Sequence, residues 1–354
     1  MTIKTIKVYK KNLALTRPYT IAFNTTSDVE AVFVEIELTN GMIGMGSANP
    51  SKEVVGEDVN DAFLSLQSDA IQQFVGRGIA EIFSIIDAID VQFPYKPGTL
   101  AAMDMALHDA FCQYLGISVA QFYNQKIEKM ATSVTIGIKG VSETLEEAAE
   151  YIGNKFKILK VKLGLNYEED VERLVKLREK YNKRVTIRVD ANQGYRIEEV
   201  LPFFKRIQKL NIELVEQPTL VGTEGGVKKL PFKIRQRLAA DESLHDAKAA
   251  FQLAADKTFG IFNIKMMKCG GIVGALEIAN IAKQGEIDLF WGCNDESIVG
   301  ITAALHVAFS CKNTKYIDLD GSLDLAEDVV KSGFILKDGY MSLSNKAGLG
   351  LVRF

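Results

Sequence analysis

Hydrophobic and polar positions divide this chain into two regimes. Over about the first 125 residues, period-two alternation comes first and helical periodicity follows. Ile3–Leu15 and Ala31–Leu38 alternate as half-buried strands. The run EAVFVEIELTNGMIGMGSA reads as a hairpin turning at Asn40-Gly41, because Asn-Gly readily adopts the positive φ angles of a tight hairpin turn. Segments near 57–75 and 78–90 carry apolar residues at helical spacing. LAAMDMALHDAFCQYLG predicts a strong helix ended by Gly116, which can take a left-handed C-cap. Strands first and helices after make this part α+β.

From about residue 132 the pattern changes. The apolar runs TSVTIGI, ILKVKLG, VTIRVD, IELVEQP, QRLAAD, IFNIKMMK, LFWGCN and YIDLDG alternate with amphipathic segments such as YEEDVERLVKLREKY and GALEIANIAKQG. Eight short strands at intervals of about 25 residues predict a (β/α)₈-type barrel. An open doubly wound sheet would need a Gly-rich phosphate turn after its first strand, and none is present. The tail KSGFILKDGYMSLSNKAGLGLVRF predicts a hairpin-like return onto the N-terminal part or its junction with the barrel. The expected division is residues 1–125 for the α+β part, 126–324 for the barrel and 325–354 for the return segment.

Composition narrows the classes. The 354 residues are 47% hydrophobic and 25% charged, with a net charge of −3, ordinary values for a globular protein. No basic stripe is present, so a nucleic-acid partner is not expected. The N-terminus, MTIKTIKVYKKNLALTRPYT, is basic but strand-like, without the apolar stretch of a signal peptide. No run reaches the roughly 20 apolar residues of a membrane span, so no membrane partner is expected. The four cysteines are scattered without CxxC spacing and read as reduced, small hydrophobes. A cytoplasmic location follows as the expectation.

Three acids supply the chemistry. Asp190, Glu216 and Asp241 each end a strand, in VTIRVD, IELVE and RLAAD, about 25 residues apart. Strand C-termini of a barrel meet at one face, where active sites sit. Three carboxylates there form an oxygen-ligand site suited to Mg²⁺. One acid alone is more simply a helix cap or a solvated loop residue; three in phase favour the metal.

Lysines flank these acids. Lys160 and Lys162 lie two apart and share a strand face, either inside the barrel or outside, snorkelling over helices. Facing inward, each ammonium disfavours charge on the other, and a lysine with a lowered pKa can act as a general base. Lys265 ends the sixth strand, across the barrel from the second. A base on each side of a metal can take a proton from one face of a carbon and return it to the other. Lys268 and Gly270-Gly271 read as shaping the following loop. Asp318 and Asp320 end the eighth strand; they suit either turn chemistry before Gly321 or recognition of a cationic group. After the seventh strand, the helix start in WGCNDESIVG could hold a carboxylate, or Asp295 and Glu296 could complement the helix dipole. The three histidines show no paired spacing, and His306 reads as a core residue.

Together these residues resemble the enolase superfamily, in its muconate lactonizing subgroup. The matching motifs are KVK at 160–162, DAN at 190–192, EQP at 216–218, ADES at 240–243 and NIK at 263–265. They run in the family's order along the barrel, and the N-terminal part looks like its capping domain. The resemblance implies a (β/α)₇β modified TIM barrel with an α+β capping domain, completed by 325–354. It implies Asp190, Glu216 and Asp241 as Mg²⁺ ligands, Lys162 and Lys265 as opposed acid/bases, and Lys160 as tuning Lys162 or holding substrate. The implied step is abstraction of a proton α to a carboxylate.

Within the subgroup, the likeness is to dipeptide epimerases. Asp318-Leu319-Asp320 matches their strand-eight Asp-x-Asp motif, which holds the dipeptide's ammonium. In epimerases acting on L-Ala-D/L-Glu, a cap loop carries an arginine for the glutamate side chain. The corresponding loop here is RPYTIAFNTT, where ungapped placement puts Asn24 at that position and leaves Arg17 too early. The departure argues against an acidic second residue, and Ile21 and Phe23 suggest an apolar or small one. Thr135 and Cys293 join the expected substrate-binding set. The expected function is inversion of the α-carbon of a dipeptide's C-terminal residue by two-base proton transfer. Rivals on the same scaffold are o-succinylbenzoate synthase, N-acylamino acid racemase and muconate cycloisomerase. A metal-retaining binding module would have no need of two opposed lysines. A homo-oligomer is expected, with no interface legible.

Overall fold

The structure, a computed structural model, describes residues 1–21 and 24–354, with side chains outside 17–27. The N-terminal strands Ile3–Ile21, Asn24–Leu38 and Ile43–Ala48 form an antiparallel meander. The turn before the third strand contains Gly41 at φ +84°, and Asn40 Oδ1 accepts from the Met42 amide. The first strand runs beyond Leu15, where alternation ceases to be legible, because it stays paired with the second.

Against this sheet lies the helix Pro97–Leu115, buried on most of its circumference. Its helical periodicity gives way to an almost continuous run of small and apolar residues, as a helix packed on two sides requires. Gly116 ends it at φ +72°. Two glycines of the third strand let sheet and helix approach closely. A Cβ on Gly46 would stand 1.8 Å from the Ala102 carbonyl oxygen, and one on Gly44 would stand 2.1 Å from that of Ala106.

Eight parallel strands follow in sequence order: Val134–Ile136, Ile158–Lys162, Thr186–Asp190, Ile212–Glu216, Leu238–Ala240, Ile261–Ile264, Asp288–Trp291 and Thr314–Ile317. They are the eight runs read from the pattern. A parallel bridge between Thr132 and Ile317 joins the last strand to the segment leading into the first. Leu159, Val161, Ile187 and Val189 are fully buried beneath helices such as Tyr167–Tyr181. The alternate positions therefore point inward. Register sets Lys162 beside Asp190 and Asp190 beside Glu216.

The tail does two jobs. Phe334–Lys337 and Tyr340–Leu343 form the expected hairpin, which adds to the short strand Lys129–Ala131 before the barrel. Val330–Ser332 pairs with Val352–Arg353, and Val330 packs with Leu13, Phe33 and Met45 of the N-terminal sheet. Among the described residues, no helix is long and apolar enough to cross a membrane.

Gly46→Ala should destabilise the protein by about 3 kcal/mol, because backbone on both sides leaves the methyl no room. The check is the urea midpoint; an unchanged midpoint would show that sheet and helix can separate without cost.

Candidate active site

Parallel pairing carries each strand's last residue to one rim. Asp190, Glu216 and Asp241 are all buried there. Lys160 and Lys162 point inward, which settles the choice of face. The Lys160 ammonium lies 3.1 Å from Asp190, 2.8 Å from Glu216 and 2.9 Å from Asp318. Lys162 donates to Asp190 at 2.7 Å and to Asn192 Oδ1 at 2.9 Å. Across the barrel, Lys265 donates to Asp241 at 2.8 Å. Lys268 donates to the other Asp241 carboxylate oxygen and, at 3.1 Å, to the Asn263 carbonyl.

Exposure separates the four lysines. The side chains of Lys160 and Lys268 are each only 4% exposed, against 29% for Lys162 and 15% for Lys265. One lysine on each side of the barrel can thus reach a molecule at the rim, and its neighbour cannot.

The charges are strongly coupled. Burial opposes charge on Lys160 and Lys265, yet the facing carboxylates outweigh it and hold both pKa values up. At Lys160, then, the lowering expected from a neighbouring ammonium is outweighed by Asp318, Glu216 and Asp190. Burial likewise opposes charge on Asp190, but Lys162 and Lys160 bring its pKa down to about 2. Lys265 and Lys268 overcome burial at Asp241 and hold it well below the usual range. Glu216 is the exception: burial, reinforced by Asp190, pushes it up to about 8. Its Oε2, although 2.8 Å from Lys160, accepts no hydrogen bond.

Among the described residues, no three His, Cys, Asp or Glu side chains converge tightly enough to outline a metal shell by themselves. Lysine ammoniums stand between the carboxylates. The donor set nevertheless fits a hard divalent cation: three buried carboxylates on adjacent strand ends, one with an oxygen that accepts no hydrogen bond.

Two residues that pattern reasoning passed over hold this set in place. Gln217 follows Glu216, is fully buried and adopts φ +27°. Its Oε1 accepts from the Asp241 and Ser243 amides at 3.0 and 3.2 Å, and its Nε2 donates to Ser243 Oγ and the Thr219 carbonyl. Every donor and acceptor of the amide is used, so this side chain ties one strand end to the next. The signal was present in the EQP motif but only its glutamate was read. Asn263 donates to Glu216 Oε1 at 2.6 Å.

Asp318 and Asp320 have separate roles. Asp318 faces Lys160 and accepts from Ser133 Oγ at 2.6 Å. Beneath it the buried Arg188, another residue missed, donates to Ser133 Oγ and the Ile317 carbonyl. Asp320 instead accepts from the Thr135 amide at 2.7 Å, with Cys293 Sγ 3.9 Å away. Burial and the Asp318 charge raise its pKa to about 7. The structure therefore brings together Thr135, Cys293, Lys160, Asp318 and Asp320, drawn from four strand ends. Ile21, Phe23, Asn24 and Arg17, read as specificity positions or considered for one, fall outside the described side chains.

At the seventh-strand helix start, the first two amides are already engaged. Asp328 from the tail accepts from Ile298 N at 2.7 Å, and Ser297 Oγ accepts from Val299 N at 3.2 Å. Glu296 is buried with its pKa up to about 7 from burial, and accepts from Asn294 N. His306 is the expected core residue: burial lowers its pKa to about 4, and its Nδ1 accepts from the Ala120 amide.

Comparison with known proteins bears on this arrangement. A family model described as the enolase C-terminal domain-like region matches residues 143–352. That of the mandelate racemase / muconate lactonizing enzyme N-terminal domain matches residues 3–123. The chain belongs to the enolase superfamily. Similar curated proteins include an L-Lys-D/L-Arg epimerase of Desulforapulum autotrophicum, 48% identical over 100% of both chains. Among solved structures, the dipeptide epimerase of Methylococcus capsulatus, complexed with Mg and L-Arg-D-Lys, superposes with a TM-score of 0.97 at 44% identity, covering 99% of this chain and 100% of that one. The dipeptide epimerase of Enterococcus faecalis, complexed with Mg and L-Leu-L-Tyr, gives 0.93 at 30% identity over 100% of both. This superfamily member thus has, as relatives, epimerases of both cationic and hydrophobic dipeptides.

Proposed function

We propose that this protein is a Mg²⁺-dependent dipeptide epimerase that inverts the α-carbon of the C-terminal residue. The observation that carries the reading is the pair Lys162 and Lys265. They sit on the second and sixth strands, on opposite sides of the barrel, and are the two members of the lysine set with access to the rim.

Asp190, Glu216 and Asp241 would hold the metal, which when bound supplies a Lewis acid for the substrate's carboxylate and offsets charge on its ligands. Gln217 holds the Asp241 backbone through its amide, and Asn263 holds the Glu216 carboxylate. One rim lysine, as the free amine, accepts the α-proton on Nζ and becomes an ammonium. The opposite lysine, as an ammonium, gives its proton to the other face of the enolate and becomes the amine. Proton count and charge balance, and the two lysines exchange protonation states with each turnover. The α-proton beside a carboxylate is weakly acidic, so preorganised positive charge must stabilise the intermediate. Lys160, buried behind Lys162, contributes such a charge next to the substrate carboxylate.

Asp320, with Thr135 and Cys293 beside it, receives the dipeptide's ammonium, while Asp318 is engaged by Lys160 from below. A free acid at this point suits an amino terminus and disfavours an N-acyl group. For the side chains, the cap loop's lack of a matching arginine argued for a non-acidic second residue. The relatives that are 48% and 44% identical act on, or were crystallised with, lysine- and arginine-containing dipeptides. These considerations move the reading from an apolar or small second residue to a cationic one, with Lys-Arg dipeptides as the substrate class. The four free cysteines suit a cytoplasmic setting.

With Mg²⁺ in D₂O, L-Lys-L-Arg should gain one dalton in its C-terminal residue and epimerise. Lys162→Ala and Lys265→Ala should each abolish epimerisation with the fold intact; turnover in either would sink the two-base mechanism. L-Lys-L-Arg should exceed L-Ala-L-Glu by at least ~100-fold in kcat/KM. Gln217→Leu should weaken Mg²⁺ binding about 10- to 100-fold by calorimetry, since Asp241 loses its support. The Asp320 carboxylate must be ionised to hold an ammonium, and its pKa is raised to about 7. Below that pH the KM for dipeptides should therefore rise as the acid protonates, and in Asp320→Asn it should be high and lack this inflection.

A further inference from the structure

A buried polar chain runs from the cap into the turn that carries Lys265. Asp104, fully buried on the helix Pro97–Leu115, accepts from two backbone amides of the barrel, Ile272 N at 3.0 Å and Val273 N at 3.1 Å. These amides open the helix Ile272–Gln284, whose N-cap, Gly271, has no side chain to receive them. The cap helix thus supplies in trans the capping acid that the barrel's own sequence lacks. Behind Asp104 stands His108, also fully buried, with Nδ1 3.0 Å from the Asp104 carboxylate and 2.9 Å from its carbonyl. Both of those oxygens accept, so Nδ1 carries the proton and Nε2 accepts from the Tyr123 hydroxyl at 2.7 Å. Burial raises the Tyr123 pKa and keeps it a phenol.

The contact is made at backbone distance. A Cβ on Gly271 would lie 2.9 Å from the Asp104 side chain and 3.0 Å from Ala101 Cα. One on Gly270 would lie 2.8 Å from Leu100. Gly270 and Gly271 take φ +79° and +100°, so their conformation and their lack of a side chain are both in use. Only one short helix, Met266–Cys269, separates this double-glycine turn from Lys265, its N-cap residue. Among the described residues, the partners of Lys162 all come from the barrel: Asp190 and Asn192 receive its ammonium, and Arg173 Nη1 donates to its carbonyl at 3.2 Å.

We infer that Asp104, backed by His108 and Tyr123, is a positioning residue for Lys265 and not for Lys162, so that the cap sets the geometry of one of the two opposed lysines. The inference rests on the two-lysine reading above. It places half of the proton-transfer apparatus under control of the cap helix, so that α-proton exchange from one epimer is tunable apart from exchange from the other.

The test uses the full-length protein with L-Lys-L-Arg and L-Lys-D-Arg, each followed separately for α-proton washout into D₂O at saturating substrate. Lys162→Ala and Lys265→Ala first identify which epimer each lysine serves. In Asp104→Asn, one buried amide faces an NH₂ in place of a carboxylate oxygen. Washout from the Lys265 epimer should fall about 10- to 100-fold, and washout from the Lys162 epimer should stay within about threefold. KM should be unchanged for both. Tyr123→Phe, which removes one hydroxyl at the far end of the chain, should show the same asymmetry in weaker form. An equal loss for both epimers, or none, overturns the inference.

Amide hydrogen exchange gives a readout that does not depend on catalysis. Protection at 265–273 should drop in Asp104→Asn while that at 158–164 is retained; unchanged protection at 265–273 also overturns it. If wild-type protein exchanges no α-proton from any dipeptide, the functional reading fails, and the hydrogen-exchange result still decides whether Asp104 holds the turn.

Discussion

The rim of the barrel depends on keeping opposite charges interleaved in a place where water cannot screen them. Asp190, Glu216 and Asp241 are buried carboxylates on adjacent strands, and Lys160 and Lys268 are buried ammoniums wedged among them. Any one of these groups alone would cost several kcal/mol to bury. Together they constrain each other's position, because moving one strand end leaves a neighbouring charge unpaired. Glu216 shows where the balance is least complete: its carboxyl is pushed up to about 8, and one oxygen accepts no hydrogen bond.

Other features follow from holding that cluster still. Gln217 directs three of its four side-chain hydrogen bonds to joining the fourth strand's end to the fifth's, at the cost of an unfavourable φ. Arg188 lies below the rim against Phe290 and Tyr316, with its guanidinium on Ser133 and the Ile317 carbonyl, near the place where the last strand meets the first. Asp318 is drawn into the cluster by Lys160, while Asp320 stays outside it and accepts from the Thr135 amide. Two aspartates with the same sequence spacing thus acquire different work from their neighbours.

The cap is joined to the barrel by similar means. Asp104 reaches across to cap a barrel helix, and Asp328 from the tail caps the helix Ile298–Ser310. Asp109 receives Met45 N of the cap sheet and Leu349 N of the tail. Buried acids taking backbone amides from another segment recur at these junctions. Each such bond is directional and fixes orientation in a way that apolar contact does not.

Much of this was legible in the chain itself. The eight barrel strands could be read because each is a short apolar run closed by a turn, repeated at a constant interval, and the three acids stood out because they share that phase. The motifs at 160–162, 190–192, 216–218, 240–243 and 263–265 carried the family likeness for the same reason: they are short, local and tied to strand ends. What the pattern could not decide was direction and partnership. Period two puts Lys160 and Lys162 on one face but is blind to which face; curvature of the closed sheet turned them inward. Their ionic partners are carboxylates 28 to 158 positions away. Gln217, Arg188 and Asp104 have no periodic signature, because each owes its role to backbone groups brought to it from distant parts of the chain. Sequence by itself determined the elements, their order and the chemistry available at each strand end, since those are local properties. Only the tertiary structure decided which lysines meet the rim and which acids stay free, since charge balance in a buried site is a property of all its members at once.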